Sequence, residues 1–329
     1  MPKAIRIHET GGPEALRWED LPVGDPGPNQ ARVRHTAIGL NFIDIYHRTG
    51  LYPAQLPFTP GIEAAGIVEA MGEAVSSGIP DMQVGDRVAY ATPPVGAYAE
   101  VRLIDADRLV PIPEGIDDRT AAAALLKGMT ARYLLRETYR VRPGDTILIH
   151  AAAGGIGLIV SQWAAHLGAL VIGTVGSEEK AALAAAHGCQ HAIRYDREDF
   201  VARVREITEG KGVHVVYDSI GKETIMGSLD CLRPRGMMVS FGQSSGNPPP
   251  LLDIAELTAR GSLFLTRPTL MDYTRAREEL LAAAAETLDV VRNGIIHMKI
   301  DREFPLQAAA DAHAALESRK TTGSTVLIP

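Results

Sequence analysis

Asn41, Asp44, Tyr46, His47 and Tyr52 fall close together in the stretch AIGLNFIDIYHRTGLYP. That set suits two kinds of chemistry. An Asp and a His can ligate a metal. An amide and two phenols can hold, or donate to, the oxygen of a carbonyl-like substrate. The plain alternative is the polar edge of a strand and its turn. A second group lies in ILIHAAAGGIGLIVSQWAAHLGA, where Ala152, Gly154 and Gly157 make the pattern A-x-G-x-x-G between a strand-like and a helix-like run. Small residues at that spacing let a backbone close on a pyrophosphate. The first sits at the tight turn, Gly154 admits the phosphate and Gly157 lets the helix pack on its strand. The amides that follow, around Gly155 and Ile156, then face the phosphates with the helix dipole behind them. A bound dinucleotide makes hydride transfer the expected chemistry.

These residues need elements to position them. From Thr146 the chain alternates: TILIHA, ALVIGTV, HAIRY, VHVVYDSIG, GMMVSFG and SLFLT read as strands. GIGLIVSQWAAHLG, SEEKAALAAAHG, DFVARVREITEG and KETIMGSLDCLR read as the helices between them. That is the pattern of a doubly wound parallel sheet, in which ligands lie at the carboxyl ends of the strands. The agreement of turn, strand and helix is what makes a glycine motif informative.

The strand tips then define a cofactor site. The second strand ends at Gly173 and Thr174 with no acid to grip a ribose 2′-hydroxyl. Ser177, Lys180, Tyr195 and Arg319 can face a 2′-phosphate instead, so NADPH is expected over NADH. Glu178 and Glu179 argue against a phosphate there, though acids also suit the first turn of a helix. Ser219 beside Asp218 ends the fourth strand. Ser240, Phe241, Gly242 and Ser244 end the fifth, and Leu265, Thr266 and Arg267 the sixth. Asp218 reads equally as a turn cap.

Up to about residue 122 the texture differs, with short apolar runs broken by Gly and Pro: ARVRHTAIGL, AAGIVEAMG, DRVAYA, YAEVRLI. This predicts a barrel-like β domain. The tail reads as one long helix over YTRAREELLAAAAETLDVVRNG, a second over LQAAADAHAALES and a strand, GSTVLIP, expected to rejoin the first domain.

Composition sets the outer bounds. The chain has 329 residues, suited to two domains, and a formal net charge of -7 with no basic stripe, which argues against nucleic acid as a partner. Cys189 and Cys231 are the only cysteines, so a disulfide framework and a cysteine-rich zinc lobe are excluded. Both read as buried thiols in a reducing compartment. No signal-like or membrane-spanning run is evident, and a cytoplasmic location is expected. Ser161, His166 and the other scattered Ser and His residues form no triad.

Taken with PGIEAAGIVEAMG, VGDRVAY, GAYAEV and HAAAGGIG, this organisation resembles the medium-chain dehydrogenase/reductase superfamily along essentially the whole chain. The resemblance implies a discontinuous GroES-like catalytic domain at residues 1–122 and 267–329 and a Rossmann NADP-binding domain at 123–266. The superfamily's zinc enzymes bind metal through an early Cys and a later His. Asn41 and Ile62 stand at those places here, which leaves Asp44, Glu63 and His47 as a poor zinc set. GLNFIDIYHRTGLYP, LLKGMTARYLL, VVYDSIG, MMVSFGQSSG, LFLTRPTL and ESRKTTGSTVLIP are similar to the zinc-independent NADPH:quinone oxidoreductase (zeta-crystallin-like) branch. That branch implies NADPH as cofactor, a quinone acceptor and a homodimer. It places Asn41 and Tyr46 at the nicotinamide end of the site, and Lys127 and Thr130 near the cofactor. Asp44 would orient its neighbours, and Tyr52 would border the acceptor entrance or shape the loop before Pro53. An enone, enal or enoyl-thioester reductase is the alternative enzyme. A non-catalytic NADPH-binding structural or RNA-binding protein is the alternative outside enzymology.

Overall fold

The computed structural model describes residues 1–79, 81–247, 253–318 and 321–329. The chain divides into two compact units: residues 1–129, 274–292 and 298–329 form the first, and 130–273 with 293–297 the second. The boundary falls inside a helix, some residues later than the texture change at 122.

The first unit opens with a small antiparallel pair, β1 (Lys3–Arg6) and β2 (Arg17–Asp20). The long strand β3 (Gln30–Leu40) follows, then α1 (Phe42–Arg48), β4 (Glu63–Met71) and the single turn α2 (Val75–Gly78). Next come β5 (Arg87–Ala91), β6 (Val101–Asp105), β7 (Val110–Pro111) and α3 (Asp118–Tyr133). The candidate stretch is therefore not a strand edge. It ends β3 and then turns into a helix. Asn41 is extended at φ -137°, as an N-cap is, and the Asp44 carboxylate reaches back to the Asn41 N–H at 2.9 Å. An Asn three residues before an Asp is a helix-start signal, and here it overrides the alternation of IGLNFIDI.

The second unit carries the alternating elements. These are β8 (Thr146–Ile149), α4 (Gly155–His166), β9 (Leu170–Val175), α5 (Glu178–Ala186), β10 (His191–Arg194) and α6 (Phe200–Ile207). Then come β11 (Val213–Asp218), α7 (Ile225–Asp230), β12 (Leu232–Ser240), α8 (Ala255–Ala259), β13 (Phe264–Thr266) and α9 (Leu270–Tyr273). All six strands are parallel, in the order β10-β9-β8-β11-β12-β13. The order reverses beside β8, the position at which a doubly wound sheet binds its ligand. Residues such as Ile147, Leu148, Val215, Val216 and Met238 are fully buried, as strands covered on both faces require.

The helix α7 is half the length the sequence suggests, because Leu232 and Arg233 already belong to β12.

The chain then returns to the first unit with α10 (Arg277–Arg292), β14 (Ile300–Pro305), α11 (Ala309–Glu317) and β15 (Ser324–Ile328). The predicted long helix forms as α10 and starts at Arg277, since residues 274–276 are not helical. In the first unit's large sheet the order is β14-β15-β3-β4-β5-β7, with β6 also on β3. β15 pairs antiparallel with β3, Thr325 opposite Leu40. Its core joins Ile5, Val33, Ile38, Val68, Tyr90, Tyr98 and Leu327. Among the described residues no helix is long and apolar enough to cross a membrane.

Candidate active site

Asn41 is held from two sides in the first unit. Its backbone N–H donates to Asp44 Oδ2 at 2.9 Å, and its side-chain Nδ2 donates to Glu63 Oε2 at 2.9 Å. Glu63, on β4, is fully buried, and its Oε1 accepts the Leu126 N–H at 2.5 Å. Lys127, from α3, lies with its Nζ 3.7 Å from Glu63 Oε2 and is itself buried. A carboxylate accepts only, so the Asn41 amide must turn its NH₂ toward Glu63 and keep its carbonyl oxygen for another partner. Asn41 therefore offers a ligand an acceptor, not a donor. Burial raises the Glu63 carboxyl above the usual range, and Lys127, Asn41 and the Leu126 amide oppose that rise.

Asp44 is fully buried beside them, and Tyr98 donates to its Oδ2 at 3.0 Å. Burial pushes Asp44 up to about 7 against these donors and Lys127. Two residues further along α1, Tyr46 packs its ring 5.2 Å from that of Tyr52, and Phe42 lies 6.4 Å from Tyr46. His47 closes the cluster at 5.7 Å from Tyr52, edge to face. Phe42 went unnoticed in the sequence. The helical period that puts it on the ring cluster appears only once the stretch is known to be α1. Asn41, Asp44, Glu63 and Lys127 thus share one polar cluster, and Tyr46 and Tyr52 belong to a separate ring cluster with Phe42 and His47.

In the second unit the glycine turn has the geometry its pattern implies. Gly154 is the N-cap of α4, with Ala152 buried behind it. A Cβ on Gly157 would stand 2.3 Å from the Ala151 carbonyl oxygen and 2.7 Å from Ala152 Cα. Gly155 and Ile156 open the helix and leave its first amides at the turn.

At the next strand tip, Ser177 caps α5, its Oγ accepting the Lys180 N–H at 3.2 Å. Tyr195 is 52% exposed, and its hydroxyl lies where a Cβ on Gly176 would be, 2.5 Å away. So Ser177, Lys180 and Tyr195 surround one turn. Glu178, which argued against a phosphate, is engaged by Arg194 at 2.9 Å; Arg194 also holds Asp196 at 2.6 Å. Arg194 was missed because a lone Arg at the end of a strand carries no motif. Arg319 lies outside the described residues.

Two expected cofactor residues serve the interior instead. Gly173 lies inside β9, where a Cβ would meet Ala152 Cβ at 2.5 Å and Cys189 Sγ at 2.8 Å. Thr174 is buried, and its hydroxyl bonds His150 Nδ1 at 2.9 Å. His150 continues through Ser228 to Asp218, both at 2.9 Å. Asp218 also accepts the Ile220 and Gly221 amides, so it is a turn cap tied to three strand ends.

The fifth and sixth strand tips meet through Arg267. It donates to Ser240 Oγ at 3.2 Å, to the Gly242 carbonyl at 3.4 Å and to Gln243 Oε1 at 2.6 Å. The Ser244 N–H donates to the Ser219 carbonyl at 3.1 Å. Phe241 donates its N–H to the Asp218 carbonyl at 2.9 Å. Leu265 and Thr266 pair with Met238 and Val239 across the sheet. Gln243 was absent from the expected set. Thr130 is buried in α3.

Two family models match: "Alcohol dehydrogenase GroES-like domain" over residues 27–114 and "Zinc-binding dehydrogenase" over residues 155–286. A quinone oxidoreductase of Pseudomonas aeruginosa is 51% identical over 330 residues, with all of both chains covered. The chain belongs to the quinone oxidoreductase family. A 2-haloacrylate reductase of Burkholderia sp is 50% identical, covering 100% of this chain and 99% of that one. The solved structure of Escherichia coli quinone oxidoreductase complexed with NADPH superposes with a TM-score of 0.96 at 47% identity, covering 99% of this chain and 100% of that one. Zinc, named in one model's description, does not fit the donors this member of the family presents. Asn41 spends its amide on Glu63, Ile62 has no donor, and Asp44 Oδ2 and both Glu63 oxygens are already bonded.

Proposed function

We propose that the chain is an NADPH-dependent quinone reductase that works without a metal ion. The observation that carries this reading is the Asn41 site. It stands where a metal ligand would, with its amide locked on Glu63 and an aromatic cluster of Phe42 and Tyr46 from the adjoining helix with Tyr52 from the loop after it. Flat rings suit such a cluster. The dinucleotide turn, and relatives named as quinone oxidoreductases, support the same reading.

NADPH supplies the hydride. In this proposal Gly154, Gly155, Ile156 and Gly157 hold its pyrophosphate, and Ser177, Lys180, Tyr195 and Arg319 its 2′-phosphate. Ser219, Ser240, Phe241, Gly242, Ser244, Leu265, Thr266 and Arg267 frame the strand ends, and Lys127 and Thr130 stand near the cofactor. With Asn41 acting as acceptor, the donor to a reducing quinone oxygen falls to a phenol, Tyr46 before Tyr52. Asn41 orients a donor group, such as an amide or a hydroxyl, on cofactor or substrate.

Asn41→Ala and Tyr46→Phe are expected to lower kcat with 1,4-benzoquinone by about tenfold or more. NADPH affinity, read by fluorescence titration, should stay near the parent value. Unchanged kinetics in both variants would remove the site. NADH in place of NADPH should give a much lower kcat/KM, and equal use of both would overturn the cofactor assignment.

An activated-alkene reductase is the second reading, favoured by the 50% identity to a 2-haloacrylate reductase. Running the parent with a 2-enal, crotonyl-CoA and 2-chloroacrylate beside the quinone separates the two. A higher kcat/KM for any of the three alkenes would replace quinones as the substrate class.

A cytoplasmic homodimer completes the proposal. β13 is an outer strand of its sheet, with Phe264 58% and Leu265 39% exposed. An unpaired apolar edge invites the same edge of a second copy. Sedimentation at micromolar concentration should show a dimer, and a monomer would reject it.

A further inference from the structure

We propose that Tyr98, His313 and Arg48 are positioning residues for the reaction. They form a one-way chain of hydrogen-bond donors that ends on Asp44 and fixes the backbone of Asn41. The inference rests on the proposed role of Asn41 and adds residues that touch neither cofactor nor substrate.

The direction of the chain follows from chemistry. A guanidinium can only donate, so Arg48 Nη1, 3.3 Å from His313 Nδ1, makes that nitrogen an acceptor. The proton of the neutral ring is then on Nε2, which donates to the Tyr98 oxygen at 3.0 Å. Tyr98 in turn has its own proton for Asp44 Oδ2, also at 3.0 Å. Burial, with the charge of Arg48, holds His313 down to about 3, which keeps the ring neutral. Beyond Arg48 the chain is anchored by Glu317, through two bonds of 3.0 and 2.7 Å. Tyr98, Asp44 and His313 are fully buried and Arg48 is 1% exposed.

A buried polar chain of this length is not needed for stability, because well-packed apolar side chains of similar volume serve as well or better. What it provides is orientation. Asp44 Oδ2 receives both donors, Asn41 N–H and Tyr98 O–H, while Oδ1 has no hydrogen-bond partner among the described residues. The carboxylate is pinned by one oxygen, and the other is where a proton would sit.

The charged and titratable groups facing Asp44 are Tyr98, Lys127 from α3 and Glu63 from β4, with Arg48 on its own helix and His313 from α11 acting through Tyr98. Burial holds Asp44 above the ordinary carboxylate range, so it loses its proton as pH rises through about 7. The anion is the stronger acceptor for both donors. Turnover should therefore rise through neutrality and level off above it.

Tyr98→Phe removes one donor to the anion. The inflection in kcat against pH should move up by about one unit, and kcat at pH 7 should fall about fivefold. NADPH affinity should be retained. His313→Leu should move the inflection the same way. His313→Gln, whose Nε2 can donate to Tyr98 and whose Oε1 can accept from Arg48, should recover most of the loss. Asp44→Asn should abolish the inflection. Carboxyl 13C NMR of the aspartate-labelled protein, with the Asp44 signal identified by its absence in Asp44→Asn, should show the same upward shift without reference to activity.

A parental pH profile and carboxyl titration in both Tyr98→Phe and His313→Leu would overturn the proposal. So would a His313→Gln variant as impaired as His313→Leu. If Tyr98→Phe does not fold, the two His313 variants decide alone. Failure of Asn41→Ala to affect turnover would instead remove the site reading, and the two failures are distinguishable.

Discussion

Gly157→Val is expected to abolish useful NADPH binding and to destabilise the second unit by about 3 kcal/mol, the upper range for overpacking. The reason is steric. Even the first carbon of a side chain would lie 2.3 Å from the Ala151 carbonyl oxygen and 2.7 Å from Ala152 Cα, both backbone atoms that no rotamer change can move aside. The N-terminus of α4 must then withdraw from β8, carrying its first amides away from the proposed pyrophosphate site. Loss of that cradle should weaken NADPH about a hundredfold, or about 3 kcal/mol. Fluorescence titration gives the affinity, and a urea transition followed in the same variant gives the stability. Gly157→Ala, whose single methyl meets the same atoms, should show most of the effect. Parental affinity and stability in both variants would mean that α4 does not sit on its strand as described.

Glu63→Leu should destabilise the first unit by about 3–5 kcal/mol, the cost of leaving one partner of a buried ion pair alone. Leucine has a similar volume, so the effect is electrostatic more than steric. The change strands three donors at once: the Asn41 amide, the Leu126 N–H and the buried Lys127 Nζ. Removing the ammonium as well should give some of this back. The Glu63→Leu, Lys127→Met double variant is expected to be more stable than Glu63→Leu alone, and the coupling in a double-mutant cycle measures the pair. Denaturant midpoints decide it. A Glu63→Leu midpoint equal to the parent's would show that these donors find water instead.

How much of this was legible in the sequence depends on distance along the chain. The alternation from Thr146 onward and the glycine turn are local signals, and the six-stranded parallel sheet follows from them. The grouping of Ser177, Lys180 and Tyr195 around one turn, proposed for the 2′-phosphate, was half legible. Ser177 and Lys180 are three residues apart, but the neutralisation of Glu178 by Arg194 needs two strands laid side by side. Thr174 was misjudged because a strand tip has an inner and an outer face. Alternation alone did not show that His150 would claim its hydroxyl. In the first unit the polar stretch around Asn41 was visible, yet its helix was not, because IGLNFIDI alternates well enough to pass for a strand. The partners that define its chemistry, Glu63, Tyr98, Lys127 and His313, come from four separate parts of the chain, and no spacing rule joins them.

The return of the chain to its first unit has a consequence for biosynthesis. β15 lies between β14 and β3 in the large sheet, and Thr325 pairs with Leu40. Before the ribosome reaches β15, every strand of the second unit is already available, but the end of β3 at Ile38–Leu40 has no neighbour on that side, because β6 covers only Gln30–Arg34. The second unit can therefore complete its sheet first, and the first unit waits with an open hydrogen-bonding edge until its last strand emerges. Nascent chains stalled just before Ser324 should expose that edge to chaperones and to proteases, whereas chains carrying β15 should not.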